Sequence, residues 1–138
     1  MIVDATGLVL GRLASITAKT LLTGEEVKIV NAEKALITGR KAKIYDDYGQ
    51  NRARGSREKG PYFPRRPEMI LKRTVRGMLP HKLKRGRDAM ARLRIYVGVP
   101  KELKGSQFDQ PAGAKMRQEG NVLHVELGDL SKRLGSHF

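Results

Sequence analysis

The side chains of this sequence with the clearest chemical consequence are its cations. The 138 residues contain 28 Lys and Arg against 14 Asp and Glu, a net charge of +14. From Arg40 to Arg94 there are 18 basic and five acidic residues, a net charge of +13, whereas the other 83 residues hold 10 basic and 9 acidic ones. This segregation predicts a strongly basic surface on a nearly neutral frame, with an anionic partner to screen it.

The basic segment, defined here as residues 40–94, is richer in arginine than in lysine. The planar guanidinium binds phosphate in a bidentate way, so this composition favours nucleic acid. A Gly-rich basic loop suits an irregularly folded RNA, and the chain shows no helix-turn-helix, zinc or heptad pattern typical of DNA-binding proteins. We predict RNA contacts for the following side chains of the segment: Arg40, Lys41, Lys43, Arg52, Arg54, Arg57, Lys59, Arg65, Arg66, Lys72, Arg73, Arg76, His81, Lys82, Lys84, Arg85 and Arg87.

Two aromatic residues, Tyr62 and Phe63, lie among these cations. Aromatic rings in a basic segment are typical of single-stranded RNA binding, because every base has a face on which a ring can stack. Hydrophobic anchoring of the loop is an equally good interpretation of the pair. The sequence leaves both roles open.

A glycine pair near the N-terminus suggests a different chemistry, the binding of a small nucleotide. Gly7 and Gly11 follow a short apolar run and open a helix, where backbone N–H groups can hold a phosphate. Their GxxxG spacing fits neither the dinucleotide fingerprint nor the P-loop. We therefore favour structural roles, with Gly7 as a turn residue and Gly11 as a site of close packing, and keep a nucleotide-binding enzyme as the alternative.

Other residues give no support for catalysis or for a cofactor. No pair of acids is placed for general acid and base work, and the three histidines are isolated in the sequence. With no cysteine, thiolate metal sites and disulfides are excluded. No apolar run approaches the roughly 18 to 20 residues that cross a bilayer. We expect a cytosolic, soluble, noncatalytic protein with no small-molecule substrate and no membrane partner.

The elements that must position these cations are those of an α/β domain. Four strands are predicted, at residues 2–5, 27–31, 94–98 and 121–127, and the helix between the first two indicates a parallel βαβ unit. Helices are predicted over 10–22, from about Glu33, from Gly39 to Arg52, from Pro67 to Pro80 and from about Gly86, where Asp88 and Arg92 would pair. Residues 53–67 are predicted to be a basic loop. The basic helices and loop thus form an insertion between the second and third strands.

Six motifs follow one another in a fixed order over residues 4–98. They are Asp4-Ala-Thr-Gly with Leu10-Gly-Arg-Leu-Ala-Ser, Val30-Asn-Ala-Glu-Lys, Thr38-Gly-Arg-Lys with Tyr45, Arg76-Gly-Met-Leu-Pro, Arg85-Gly-Arg, and Leu93-Arg-Ile-Tyr-Val-Gly. Together they resemble the ribosomal protein thirteen family of the large subunit in its archaeal form. None of them suffices alone. Their shared order makes the resemblance specific.

The resemblance implies a three-layer α/β/α domain over residues 1–138, with a four-stranded parallel sheet. It also implies direct binding to large-subunit ribosomal RNA, a role early in subunit assembly, neighbouring ribosomal proteins as partners, and location in the cytoplasmic ribosome. RNA contact is carried over on the motif residues Arg40, Lys41, Arg76, Arg85 and Arg87. The family diverges over residues 52–66, where the predicted contacts rest on charge. The same surface would also suit regulatory RNA binding away from the ribosome.

Overall fold

The computed structural model describes residues 1–117 and 122–138. Its strands are β1 (Ile2–Asp4), β2 (Val27–Val30), β3 (Leu36–Thr38), β4 (Leu93–Ile95) and β5 (His124–Glu126). Its α-helices are α1 (Leu10–Leu22), α2 (Lys41–Ala53), α3 (Pro67–Gly77), α4 (Lys84–Ala91) and α5 (Leu127–Arg133). Short 3-10 turns occupy Ala32–Lys34, Lys101–Leu103 and Ala112–Ala114. The predicted α/β class is confirmed.

A parallel βαβ unit begins the chain, as predicted. Strand β1 pairs with β2 in parallel register, Val3 lying opposite Ile29. Helix α1 connects them and buries Leu10, Leu13, Ala14, Thr17, Ala18 and Leu21, the apolar stripe that its helical spacing predicts. The helix ends where Gly24 takes a φ of +98°, a backbone conformation that glycine adopts without strain.

The parallel sheet has three strands in the order β1, β2, β4. The predicted fourth parallel strand, over residues 121–127, is wrong: its described part forms β5, which pairs antiparallel with β3 in a separate two-stranded sheet. Asn121 itself lies outside the described residues. Instead of a fourth strand, Asp109 joins the free edge of β1 by a single parallel bridge to Val3. The partner of β5 is β3, a strand at residues where the sequence predicted a helix.

Helices cover one face of the central strands. Helix α1 packs against α3 and α4, and α3 also contacts β4. On the other face, Lys28 of β2 lies directly opposite Arg94 of β4, and both side chains line an open depression with Glu26 and Tyr96. Because Arg94 is exposed, no helix covers this part of the sheet. This part of the second face is therefore open to solvent rather than covered by a helical layer.

The predicted insertion between the second and third parallel strands is present and holds α2, α3 and α4. Helix α3 begins at Pro67, as predicted, and buries Ile70, Leu71 and Val75. It ends at Gly77, and Met78, the residue after it, is 45% exposed. None of the described helices is long and apolar enough to cross a membrane.

Candidate nucleic-acid interface

The cations predicted to contact RNA lie on the protein surface. Sixteen of the seventeen side chains are exposed, and the other, Lys72, is half-buried. Among residues 1–117 and 122–138 the only ion pair joins Arg66 Nε to Glu68 Oε1 at 2.8 Å. Almost all of this positive charge is therefore directed at solvent without a carboxylate partner, which leaves it available to phosphate.

One group of these cations stands at the start of α2. Arg40 is the residue before the helix, and Lys41 and Lys43 lie in its first turn. The helix buries only Ile44 and is otherwise held to the protein by its aromatic side chains. Tyr45 is one of these, with the Lys41 ammonium 5.5 Å from its ring centre and the Arg133 guanidinium at 5.8 Å.

Tyr48 holds the other end of α2 to the basic loop. Its ring meets the Phe63 ring edge to face, with centres 5.9 Å apart. Burial raises the pKa of the Tyr48 phenol above its usual value, and the negative charge of Asp47 adds to this effect. The helix therefore presents its basic side chains outward from an aromatic support.

A second group of cations lies on the loop over residues 54–66. Ser56 and Gly60 bond to each other through both of their backbone N–H groups, at 3.1 and 3.0 Å, so the tip carrying Arg57 and Lys59 is a closed turn. A Cβ atom at Gly55, whose φ is +85°, would lie 2.1 Å from the Gly60 carbonyl oxygen, so this turn requires glycine. Beneath the turn is a depression of about 390 Å³ whose lining includes four arginines and no carboxylate. They are Arg52, Arg54, Arg57 and Arg65.

The two aromatic residues of the loop have different environments, which separates the two roles that the sequence left open. Phe63 is half-buried, with the Arg73 guanidinium 4.7 Å from its ring centre and Tyr48 at its edge. Phe63 is therefore the anchor. Tyr62 is 68% exposed, and its hydroxyl donates a hydrogen bond of 2.8 Å to the Arg57 carbonyl. Its ring is held in place yet remains open to solvent.

A third group of cations surrounds the turn between α3 and α4. Gly86 makes this turn compact, because a Cβ atom there would lie 2.0 Å from the Pro80 carbonyl oxygen. The close approach brings the start of α4 against the turn and fixes the flanking Arg85 and Arg87 on the surface. Arg76, His81, Lys82 and Lys84 are exposed on the same part of the chain. The Arg85-Gly-Arg87 motif thus combines a steric requirement with two outward cations.

Two of the basic helices begin in a way that is unfavourable for the protein alone. Helices α2 and α4 have no acidic residue in the first turn and no side chain capping the free N–H groups, and α4 begins with Lys84 and Arg85. The N-terminal end of a helix carries a partial positive charge, so cations there add repulsion. A phosphate bound at the start of the helix would offset this repulsion. The local sequence of these helices therefore favours an anionic partner.

The Gly7 turn is built as a structural joint. Asp4 Oδ1 accepts hydrogen bonds from the Thr6 backbone N–H at 3.0 Å, the Thr6 hydroxyl at 2.7 Å and the Asn31 amide at 3.0 Å. Burial alone would raise the Asp4 pKa, but these hydrogen bonds hold it below its usual value. Gly7 has a φ of +72°, which confirms its role as a turn residue.

Three backbone N–H groups of this turn already donate to backbone carbonyls of the protein. Those of Gly7, Leu8 and Val9 donate to the carbonyls of Lys34, Ala5 and Ala114. The predicted close packing at Gly11 is wrong, because Gly11 is exposed and a Cβ atom there would meet nothing within 4 Å. The Gly7 turn thus acts as the structural joint between β1 and α1.

Chemistry of other kinds finds no support in the described residues. No group of three or more His, Cys, Asp or Glu side chains is placed to hold a metal ion there. His81 and His124 are exposed, and His124 lies within β5.

Sequence reasoning missed the contribution of Arg133, which faces Tyr45 from α5, far outside the basic segment. It also missed a cavity beside α3 whose lining includes Met69 and Met90, because no local sequence pattern marks residues that only the fold brings together.

Within the described residues, an α/β frame carries exposed cations that, apart from Arg66, have no carboxylate partner, an arrangement that suits a structural nucleic-acid-binding protein. The model of the family described as ribosomal protein L13 matches residues 1–102 of the chain. Curated relatives named large ribosomal subunit protein uL13 are 55% identical over 137 residues in Methanococcoides burtonii and 56% over 138 in Methanosarcina barkeri, covering 99% of both chains in each case. The relative from Thermoplasma acidophilum is 41% identical over 136 residues, covering 99% of this chain and 98% of its own.

The chain belongs to the ribosomal protein L13 family. The resemblance inferred from the six motifs is therefore confirmed, and so is the noncatalytic role, since this is a family of structural ribosomal components. The alternative of a nucleotide-binding enzyme is wrong.

Proposed function

We propose that the protein is a structural constituent of the large ribosomal subunit, where it binds ribosomal RNA through the basic segment and supports early assembly. The observation that carries this proposal is the exposed basic surface, whose described side chains form one ion pair, between Arg66 and Glu68. The large ribosomal subunit is the particle that the names of its relatives give. In this proposal residues 1–138 act as one domain within the cytoplasmic ribosome, beside other proteins of the subunit.

The three groups of cations divide the contact between them. The start of α2, the loop at 54–66 and the turn before α4 each present cations on a support fixed by aromatic packing, by a glycine turn or by the Gly86 contact. Because the backbone that carries these cations is already ordered, less conformational freedom is lost when they bind phosphate. If about eight phosphates are neutralised, the logarithm of affinity falls with the logarithm of salt concentration at a slope of roughly −6 to −7.

The test is binding to deproteinised large-subunit ribosomal RNA across a salt series. The double variant Arg85→Gln with Arg87→Gln should bind more weakly and lower the steepness of the slope by about 2, because two phosphate contacts are lost. The matched control, Lys19→Gln with Lys104→Gln, removes two exposed cations from the nearly neutral flanks. Equal losses in the two variants would show that only total charge matters, and would refute the assigned surface.

Assembly is tested in cells by the same pair of variants. Sucrose-gradient sedimentation should find the wild-type protein and the control in the large subunit, with the Arg85 and Arg87 variant shifted toward free protein and incomplete particles. A wild-type protein found wholly outside the large subunit would contradict the proposal and would favour a separate regulatory role in RNA binding.

A further inference from the structure

A cavity of about 290 Å³ lies between the basic loop and α3. Its apolar part is formed by Tyr62 and Pro64 of the loop, Met69 of α3 and Met90 of α4. Tyr62 is 68% exposed and Met69 is 49% exposed, so this apolar surface is open to solvent. The volume is at the lower end of the roughly 300 to 1,000 Å³ typical of small-molecule sites, which suits one flat group.

The rim of the same cavity is cationic. Lys72, Arg73 and Arg76 line it, and no acidic residue does. With Met69 they stand at i, i+3, i+4 and i+7 along α3, so one stripe of the helix carries both the apolar floor and the charged edge. The Arg73 guanidinium also lies over the Phe63 ring, 4.7 Å from the ring centre, a contact that restrains its position.

Tyr62 is already positioned to receive a planar group. The hydrogen bond from its hydroxyl to the Arg57 carbonyl, 2.8 Å long, ties the ring to the loop without covering its face. A ring fixed in this way loses little conformational freedom when a ligand stacks on it. Methionine side chains adapt to the outline of an aromatic group, because the thioether is flexible and polarizable.

We propose that this cavity binds a single unpaired RNA base, stacked against Tyr62, with the adjoining phosphates held by Lys72 and Arg76. The inference rests on the proposed function and names the nucleotide conformation that this part of the surface selects. A bare phosphate gains nothing from the apolar floor, and a base inside a duplex cannot enter the cavity without losing its stacking and pairing. An extruded or single-stranded nucleotide can place its base against the apolar floor and its phosphates against the cationic rim.

The test compares two oligomers with the same number of phosphates, an eight-residue oligouridylate and an abasic ribose-phosphate chain of the same length. Stacking of one base predicts about tenfold tighter binding of the oligouridylate. Tyr62→Ala should abolish this difference, whereas Tyr62→Phe, which keeps the ring and loses the hydroxyl, should retain most of it. Circular dichroism checks that both variants are folded.

A second readout uses the absence of tryptophan from the sequence. In Tyr62→Trp the new indole is the sole tryptophan, and its fluorescence should be quenched by oligouridylate and not by the abasic chain. Equal affinity of the wild type for both oligomers, or a preference that survives Tyr62→Ala, would overturn the inference. Quenching only by an acidic peptide of alternating glutamate and leucine would overturn it too and indicate a protein partner.

The proposed function and the base site can fail separately. If the wild type binds large-subunit ribosomal RNA with the Arg85 and Arg87 dependence described above but does not distinguish the two oligomers, the base site alone is wrong. If it binds neither the ribosomal RNA nor the oligomers, the proposed function fails with it.

Discussion

The start of α4 offers a direct test of the idea that this surface is built for an anion at the expense of the free protein. Leu83 is the N-cap residue, with extended backbone angles, and it provides no side-chain hydrogen bond. Its side chain is 57% exposed, so replacing it removes little buried apolar area. Leu83→Ser and Leu83→Asp would each accept a hydrogen bond from a free N–H group of the first turn.

The expected gain in stability follows from capping energetics. A serine cap should raise the free energy of unfolding by about 1 kcal/mol, and aspartate should add about 0.3–1 kcal/mol because its charge opposes the positive end of the helix. For a chain of this length, each kcal/mol corresponds to a rise in Tm of roughly 3–4 °C. Thermal unfolding followed by circular dichroism measures both variants against the wild type.

The two variants should then diverge in RNA binding. Serine leaves the charge of the surface unchanged, so its affinity for large-subunit ribosomal RNA should match that of the wild type. Aspartate places a carboxylate beside Lys84, Arg85 and Arg87 and offsets about one phosphate contact, which weakens binding about tenfold at 0.1 M salt. Stability gains without any loss of affinity in Leu83→Asp would refute the argument that the start of α4 faces RNA.

Three further predictions concern stability. Gly86→Ala should lower the free energy of unfolding by about 2 kcal/mol in urea titrations, since its Cβ would overlap backbone, whereas Gly49→Ala, in open space on α2, should raise it by about 1 kcal/mol. Arg94→Thr should raise the free energy of unfolding by several tenths of a kcal/mol in low salt and by less in 1 M salt, because it removes the repulsion between Arg94 and Lys28, which lies directly opposite. Because the pKa of Tyr48 is raised, the contribution of its neutral phenol to the free energy of unfolding is fully present below about pH 10 and is lost as pH rises further. The free energy of unfolding of Tyr48→Phe should therefore decline less steeply between about pH 9 and 11.

The helices of this protein could be predicted from the sequence because their apolar residues repeat over several turns. In α1 the buried positions follow the helical period from Leu10 to Leu21, and Gly24 marks the end. In α3 the start at Pro67 follows from a proline whose missing N–H is not needed in the first turn. Signals of this kind are local, and the apolar spacing recurs over enough turns that one residue that departs from it does not obscure the helix.

The strand β3 could not be predicted, because it has only three residues and its pairing is decided by distant chain. The Ala35 carbonyl accepts from the Leu127 N–H at 2.8 Å, and Gly39 N–H donates to the Leu123 carbonyl at 2.8 Å. These contacts place β5 beside β3, in a sheet separate from β1, β2 and β4. The predicted ion pair of Asp88 with Arg92 is wrong for a similar reason, since the Arg92 guanidinium donates instead to the Leu21 carbonyl at 2.6 Å.

The basic surface was predictable residue by residue in its exposure but not in its geometry. A count of charges identifies side chains that have no reason to be buried, and burial of an unpaired cation is costly. It says nothing about which cations share a support. Phe63 became the anchor and Tyr62 the open ring only when Tyr48 and Arg73 took up positions around Phe63.

The placement of cations at the starts of α2 and α4 argues that binding and folding of these elements are coupled. Neither helix has an amphipathic stripe as deep as that of α1, and α2 buries only Ile44. Their stability in the free protein is reduced by repulsion at each N-terminal end, and a phosphate there turns the same charges into attraction. RNA should therefore protect the backbone amides of α2 and α4 from hydrogen exchange more than those of α1. Equal protection of all three helices would mean that the insertion is as rigid alone as the frame that carries it.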